Sequence, residues 1–254
     1  MEIADVNYEE KGSCAWLTMN RPEVRNALSK QMFKDLTESL SKATRDPNLR
    51  FIAITGAGNS FSAGLDVKQV GGFATKSEAK KFVIRIVRPF WKQLLGCEKP
   101  VLAMVDGPAF GAGAEIVLGS DIVIASSRSK FAFSGGRVGA LCCISGAIGP
   151  IVMNGRKVLE MNLTGNPISA KEAKVAGLVT HVVPQDRLID VTSKVLQDLE
   201  QVSSISNSSF KRIRRGTIPK NALEVAYREL FRTITSPDFR KGANAFLHKQ
   251  VPGY

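Results

Sequence analysis

The sequence predicts an α/β protein: a sheet core covered by helices, followed by a helical C-terminal region. Three features point there. Short apolar runs that end in turn residues alternate with helix-spaced apolar patterns as far as residue 184. These runs are nearly continuous, as expected of strands buried on both faces in a largely parallel sheet. Beyond residue 186 helical patterns alone recur. At 254 residues the chain can bury a substantial core, and it shows no obvious linker, internal repeat or low-complexity tract.

The first run, SCAWLTMN (13–20), is a strand stopped by RPEVRNALS. Ser29 then caps a helix whose apolar positions Met32, Leu36, Leu40 and Ala43 recur at helical spacing. RFIAITGAG (50–58) is a hydrophobic strand running into glycines, and KPVLAMVDG (99–107) repeats that form after a basic amphipathic helix over 77–95. DGPAFGAGAEIVLGSDI (106–122) begins as a turn and becomes an apolar helix with one carboxylate, Glu115; DIVIAS (121–126) follows as a strand. Ser169 and Glu172 form a capping box, and Gly177 stops that helix before the strand in GLVTHVVP (177–184). Residues 186–201, 218–235 and 237–249 are the remaining helix candidates, the last opened by SPD, a serine cap with proline in the first turn.

The formal charge of +12 favours a polyanionic partner, whether nucleic acid, a membrane surface or a phosphorylated small molecule. Cys14, Cys97, Cys142 and Cys143 have no CxxC spacing, and no secretory signal precedes them, which points to a reducing compartment. His181 and His248 lie far apart without neighbouring ligands, so no structural zinc site is expected. No apolar run reaches the roughly 18 residues of a membrane span.

A carboxylate in an apolar helix is costly unless paired, hydrated or used, which makes Glu115 the first candidate for chemistry. The glycines before it do not complete a dinucleotide fingerprint, because the third glycine position is Ile116, and no P-loop lysine follows any glycine at the required spacing. SFSAGLDVK (60–68) and FGAGAE (110–115) are both small-residue turns leading from a strand into a helix, so each can present unpaired backbone N–H groups. Two such donors facing one point form an oxyanion hole, and larger side chains would hold a carbonyl away from them. Either segment alone also reads as ordinary tight packing of strand on helix.

Taken together these segments resemble the crotonase, or enoyl-CoA hydratase/isomerase, superfamily. The resemblance covers nearly the whole chain: NRPEVRNAL, SFSAGLDVK, KPVLAMVDGPAFGAGAEIVLGSDIVIA and LTGNPISAKEAKVAGLVTHVVP occur in order, and KGANAFLHKQ resembles the family's terminal helix. It implies a crotonase-like spiral of ββα units over 1–190 and a helical C-terminal trimerisation region over 191–254. It also implies a homotrimer or hexamer and an acyl-CoA thioester as partner and substrate, with no separate cofactor, because CoA is part of the substrate. The implied catalytic groups are the amides of Leu65 and Ala112, which would hold the thioester oxygen of an enolate, and Glu115 as acid/base. Along the CoA site it places Arg25 and Ala27, then Ala63, Leu65, Asp66, Val67 and Lys68, and finally Ala112. Arg25 and Lys68 are cations suited to the nucleotide phosphates. No metal ligand is implied.

The pattern departs from the hydratases at one place. In KFAFSGGRVGALCCISGA (130–147), Gly135 stands where hydratases carry a second glutamate; within the superfamily this segment most resembles the mitochondrial hydratase-domain-containing branch, type three. Hydration is easiest with two carboxylates, one orienting water and one delivering a proton. The expected activity is therefore that of an enoyl-CoA isomerase or hydratase-like enzyme acting through a thioester enolate, with decarboxylation a third option. The alternative is a catalytically inactive homologue that binds CoA or nucleic acid, although nucleic acid is otherwise not expected. Asp66 also reads as a helix N-terminal carboxylate, Cys142 and Cys143 as small buried apolar residues, and FKRIRR (210–215) as a solvated helix face. Met1 is followed almost at once by strand-like sequence, and VPGY is not a peroxisomal address, so the expected location is intracellular, in the cytoplasm or the mitochondrial matrix.

Overall fold

The computed structural model describes residues 5–253. Its strands run β1 (Val6–Lys11), β2 (Cys14–Met19), β3 (Phe51–Gly56), β4 (Val101–Val105), β5 (Pro108–Phe110), β6 (Ile122–Ser126), β7 (Lys130–Ala132), β8 (Ile168–Ser169) and β9 (His181–Val183). The helices of the first half are α1 (Lys30–Arg45), α2 (Val67–Val70), α3 (Lys76–Phe82), α4 (Arg88–Gly96) and α5 (Ala112–Gly119). Those that follow are α6 (Cys143–Val152), α7 (Gly155–Thr164), α8 (Ala170–Val175), α9 (Leu188–Glu200), α10 (Ser204–Gly216), α11 (Ala222–Ile234) and α12 (Pro237–Leu247).

A six-stranded sheet has the order β1-β2-β3-β4-β6-β9, antiparallel between β1 and β2 and parallel at every other pairing. Side chains alternate along each strand, so Ile52 and Ile54 of β3 enter the main core while Phe51 and Ala53 enter a smaller one on the opposite face. Leu188, Val191 and Val195 of α9 close that second face. Covering both faces is what makes these strands read as unbroken apolar runs. The smaller sheet, β5-β7-β8, takes the strand that follows each turn of the chain: β4 leads through β5 into α5, and β6 through β7 into α6. This is the expected spiral of ββα units.

Local signals read from the sequence hold in detail. Ser29 Oγ accepts from Met32 N at 2.9 Å, and α1 buries Met32, Phe33, Leu36, Leu40 and Ala43. Ser169 and Glu172 form the capping box of α8, and such a cap contributes about 1 kcal/mol. The 77–95 helix is present but contains a π-helical turn over Val83–Val87. Pro89, inside the first turn of α4, has no N–H to offer the carbonyl four residues back, and a widened turn accommodates its ring.

The second half holds helices that periodicity missed. α6 is apolar and glycine-rich with no stripe, and α10 buries no residue at all. FKRIRR is not a uniformly solvated face: Lys211 pairs with Asp121 and donates to the Lys99 carbonyl, while Arg215 donates to the Gly96 carbonyl. Ile205, Phe210 and Ile213 are the large apolar residues α10 exposes. Further on, α11 packs on α6, and Leu230 and Phe239 enter the main core. The division expected at residue 190 falls within α9. Among the described residues no helix is long and apolar enough to cross a membrane.

Candidate active site

Three backbone segments run side by side to build the site. Residues 25–28 pair with 63–66: Ala63 N donates to Arg25 O at 2.8 Å, Leu28 N to Gly64 O at 2.7 Å, and Asp66 N to Leu28 O at 3.1 Å. On the other side Phe61 N donates to Pro108 O at 3.0 Å and Phe110 N to Ser62 O at 2.8 Å. Asn26 locks the assembly. It is fully buried at a positive φ of 55°, its Nδ2 donates to Ala57 O and Ser60 O, and its Oδ1 accepts from Arg21 N. Asparagine is among the few residues that tolerate this conformation, and its satisfied amide offsets the strain.

That ladder decides where two amides point. The carbonyl of Gly64 is taken by Leu28, and in a trans peptide the N–H lies opposite the carbonyl, so Leu65 N–H points away from Leu28. Likewise Gly111 O accepts from Glu115 N at 3.1 Å along α5, which leaves Ala112 N–H projecting from the helix's N-terminal end. Among the described residues neither amide has an acceptor. Gly64, at φ 89°, packs so closely that a Cβ there would stand 2.6 Å from Phe110 O and 3.1 Å from Ala112 N. Any side chain would drive the two turns apart. Gly111, at φ 54° and ψ −126°, makes the corner into α5 in a conformation open to glycine.

Glu115 is 3% exposed. Its Oε1 accepts from Ile144 N at 2.7 Å and Ser145 N at 2.9 Å, the second and third residues of α6. Cys142 gives that helix no side-chain cap, so a carboxylate from α5 supplies it across space. Burial nevertheless dominates: it pushes the Glu115 carboxyl from 4.5 up to about 8, against the lowering pull of the two amides. Oε2 has no protein partner among the described residues and is the oxygen left to the cavity that Glu115 lines. Burial, and then the charge of Glu115, also raise the Cys142 and Cys143 thiols well above their usual range. Neutral, buried thiols suit the reading of both as small apolar wall residues.

The cavity has a volume of about 1020 Å³. Every residue named above for the CoA site lines it: Arg25, Ala27, Ala63, Leu65, Asp66, Val67, Lys68 and Ala112, together with Glu115. Arg25 and Lys68 are exposed at its rim. Asp66 caps α2, accepting from Gln69 N at 3.3 Å, and pairs with Arg21 at 3.2 Å, so its carboxylate is occupied. Gly135 also lines the cavity, and a Cβ there would meet Cys142 N at 3.0 Å and Cys142 Sγ at 3.1 Å. A side chain at position 135 would press on the turn through residue 142. Among the described residues no group of three or more His, Cys, Asp or Glu could hold a metal.

Several lining groups escaped the sequence. Arg21, which fastens the first loop to Asp66 and donates to Ala27 O at 2.9 Å, lies inside the NRPEVRNAL segment and was recoverable from it. Lys249, at φ 55°, enters from the end of α12 with Phe246 and Leu247. The α6 amides that hold Glu115 lie 29 and 30 residues away from it and leave no mark on local pattern.

Known proteins repeat this arrangement of elements. The family profile described as Enoyl-CoA hydratase/isomerase matches residues 9–254. "Enoyl-CoA hydratase domain-containing protein 3, mitochondrial" of Xenopus laevis is 34% identical, over 93% of this chain and 81% of that protein. The "1,2-epoxyphenylacetyl-CoA isomerase" of Escherichia coli strain K12 is 31% identical over 98% of this chain and 97% of its own. Among solved structures, an enoyl-CoA hydratase/isomerase from Mycobacterium paratuberculosis superposes with a TM-score of 0.87 at 27% identity, covering 95% of this chain and 98% of that one. With matches that span almost every element from β1 to α12, the chain belongs to the enoyl-CoA hydratase/isomerase family of the crotonase superfamily.

Proposed function

We propose that the protein is an acyl-CoA enzyme that moves a proton through a thioester enolate, and that shifting a 3-enoyl double bond is its better reaction than hydrating a 2-enoyl one. The observation that carries this reading is the meeting, in one cavity, of two acceptor-free amides at Leu65 and Ala112 with the free oxygen of a buried Glu115. The thioester oxygen sits between the amides. Glu115 Oε2 removes a proton from the carbon next to the thioester, the electron pair moves into a dienolate held by the two donors, and the same oxygen returns the proton to the far carbon. Each donor contributes about 3 kcal/mol at the transition state. One carboxylate suffices because the proton that leaves is the proton that returns; hydration must also orient a water, and Gly135 offers no acid for that. The sequence of steps is redox-neutral and needs no cofactor beyond the CoA of the substrate.

Exposed Arg25 and Lys68 at the rim suit the phosphates of CoA, in keeping with the charge of +12. The helical region 191–254 is the proposed trimerisation region of a homotrimer or hexamer; its Phe210 and Ile213, and outside it Leu159 and Leu163 of α7, are large exposed apolar side chains available for such contacts. A soluble setting in the cytoplasm or the mitochondrial matrix fits the same reading, and several relatives carry "mitochondrial" in their names. Incubation with a 3-enoyl-CoA, followed through the absorbance of the conjugated 2-enoyl product, tests the reaction. Turnover of order one per second or faster is expected. CoA binding with no turnover on any enoyl thioester would leave a binding protein instead.

A further inference from the structure

The cavity has two chemically different ends. Its rim carries the cations Arg21, Arg25, Lys68 and Lys249. Its interior is walled by Phe33 of α1, Val87 of the π-helical turn, Trp91 of α4, Leu230 of α11 and Phe239 of α12, each 2% exposed or less. Phe33 and Trp91 both meet Phe90 edge-to-face, with ring centroids 5.3 and 4.9 Å away, so this wall is anchored in the main core. Among the described lining residues of the interior the ionisable groups are acids alone: Glu115 and the thiols of Cys142 and Cys143. No cation is there to meet an anion.

We infer that the acyl group this site takes is uncharged and extended or aryl, that thioesters bearing a free carboxylate are rejected, and that Val87 and Trp91 set the limit on acyl size. The inference rests on the CoA reading of the rim. A medium-length chain or a ring buries its own apolar surface against the Phe33–Trp91 wall, whereas a two-carbon acyl group has little apolar surface to bury. A carboxylate carried into the same interior would lose its hydration, find no counter-charge and lie near Glu115.

Calorimetry on the wild-type protein with CoA, acetyl-CoA, butanoyl-CoA, octanoyl-CoA, phenylacetyl-CoA and succinyl-CoA tests this without relying on a variant that folds. Octanoyl- and phenylacetyl-CoA should bind at least about tenfold tighter than acetyl-CoA, and succinyl-CoA at least about tenfold weaker than butanoyl-CoA of the same carbon count. Val87→Phe, which adds bulk to a residue lining the cavity, should weaken octanoyl-CoA about tenfold relative to acetyl-CoA. Equal affinity for acetyl- and octanoyl-CoA, succinyl-CoA binding as well as butanoyl-CoA, or a Val87→Phe protein that binds octanoyl-CoA as wild type does would each overturn the inference while the CoA reading stands. If neither CoA nor any thioester binds, the CoA reading itself falls and takes the inference with it.

Discussion

Two segments of the cavity wall share a position in the ββα repeat and differ in what they offer. After β5 the chain turns at Gly111 into α5 and sends in Glu115; after β7 it turns at Ser134–Val138 and sends in Gly135, which has no side chain. The first turn is supported from outside itself, because Ile144 and Ser145 of α6 hold the carboxylate by one oxygen and leave the other free. The second is filled by its own chain, with Cys142 Sγ accepting from Gly135 N at 3.4 Å. One turn therefore presents a carboxyl to the cavity, whereas the other presents backbone with the Cys142 thiol packed against it.

The sharpest break in this comparison is to neutralise the surviving carboxyl. Glu115→Gln keeps the size of the side chain and an oxygen to accept from α6, so acyl-CoA affinity should stay within a few-fold while the rate of double-bond shift falls at least about a hundredfold. A rate within tenfold of wild type would move the chemistry to another group.

Next comes the pH dependence. The carboxyl must be ionised to remove the first proton, so kcat/KM should climb about tenfold per pH unit until it levels off near pH 8, the pKa to which burial pushes Glu115. Stability should run the opposite way. Because the folded pKa of about 8 lies above the unfolded value near 4.5, the folded state holds a proton across that window. The contribution is fully present below the unfolded value and is lost as pH rises through the folded one. A flat kcat/KM between pH 6 and 8 would contradict both.

Adding a second acid should be harder than one substitution. Gly135→Glu places its Cβ 3.0 Å from Cys142 N and 3.1 Å from Cys142 Sγ, so it should cost about 1–3 kcal/mol of stability and add little hydration. A stable variant with a large gain in hydratase rate would mean that the 142 turn yields more easily than its packing implies. The smallest effect concerns the rim. Arg25→Ala and Lys68→Ala should each weaken CoA binding a few-fold, and added salt should erase part of the wild-type advantage, since both side chains are exposed. Unchanged affinity in 0.05 and 0.5 M salt would place the phosphates elsewhere.

What could be read from the chain and what could not divide along range. β3 and β4 announced themselves because both their faces are buried, α1 because Ser29 and four apolar positions agree, and α8 because its capping box is local. The turns bearing Leu65 and Ala112 were visible for the same reason, since small residues at a strand-to-helix corner constrain their own backbone. α10 was obscured because its large apolar residues face outward while Lys211 and Arg215 donate back to carbonyls of the protein body, which runs against the usual pattern. The α6 amides behind Glu115 were invisible, because the bond joins two helices whose spacing only the whole fold sets. The buried carboxylate was thus legible, whereas its place as the cap of α6 was not.

The central claim, that a single carboxylate works here by returning the proton it takes, is tested most directly by giving one wild-type preparation two substrates. A 3-enoyl-CoA should be converted to its 2-enoyl isomer at least about tenfold faster than crotonyl-CoA is hydrated under the same conditions. Hydration of crotonyl-CoA at the rate of the isomerisation or above it, of order a hundred per second, would contradict the claim and require a second acid in the cavity.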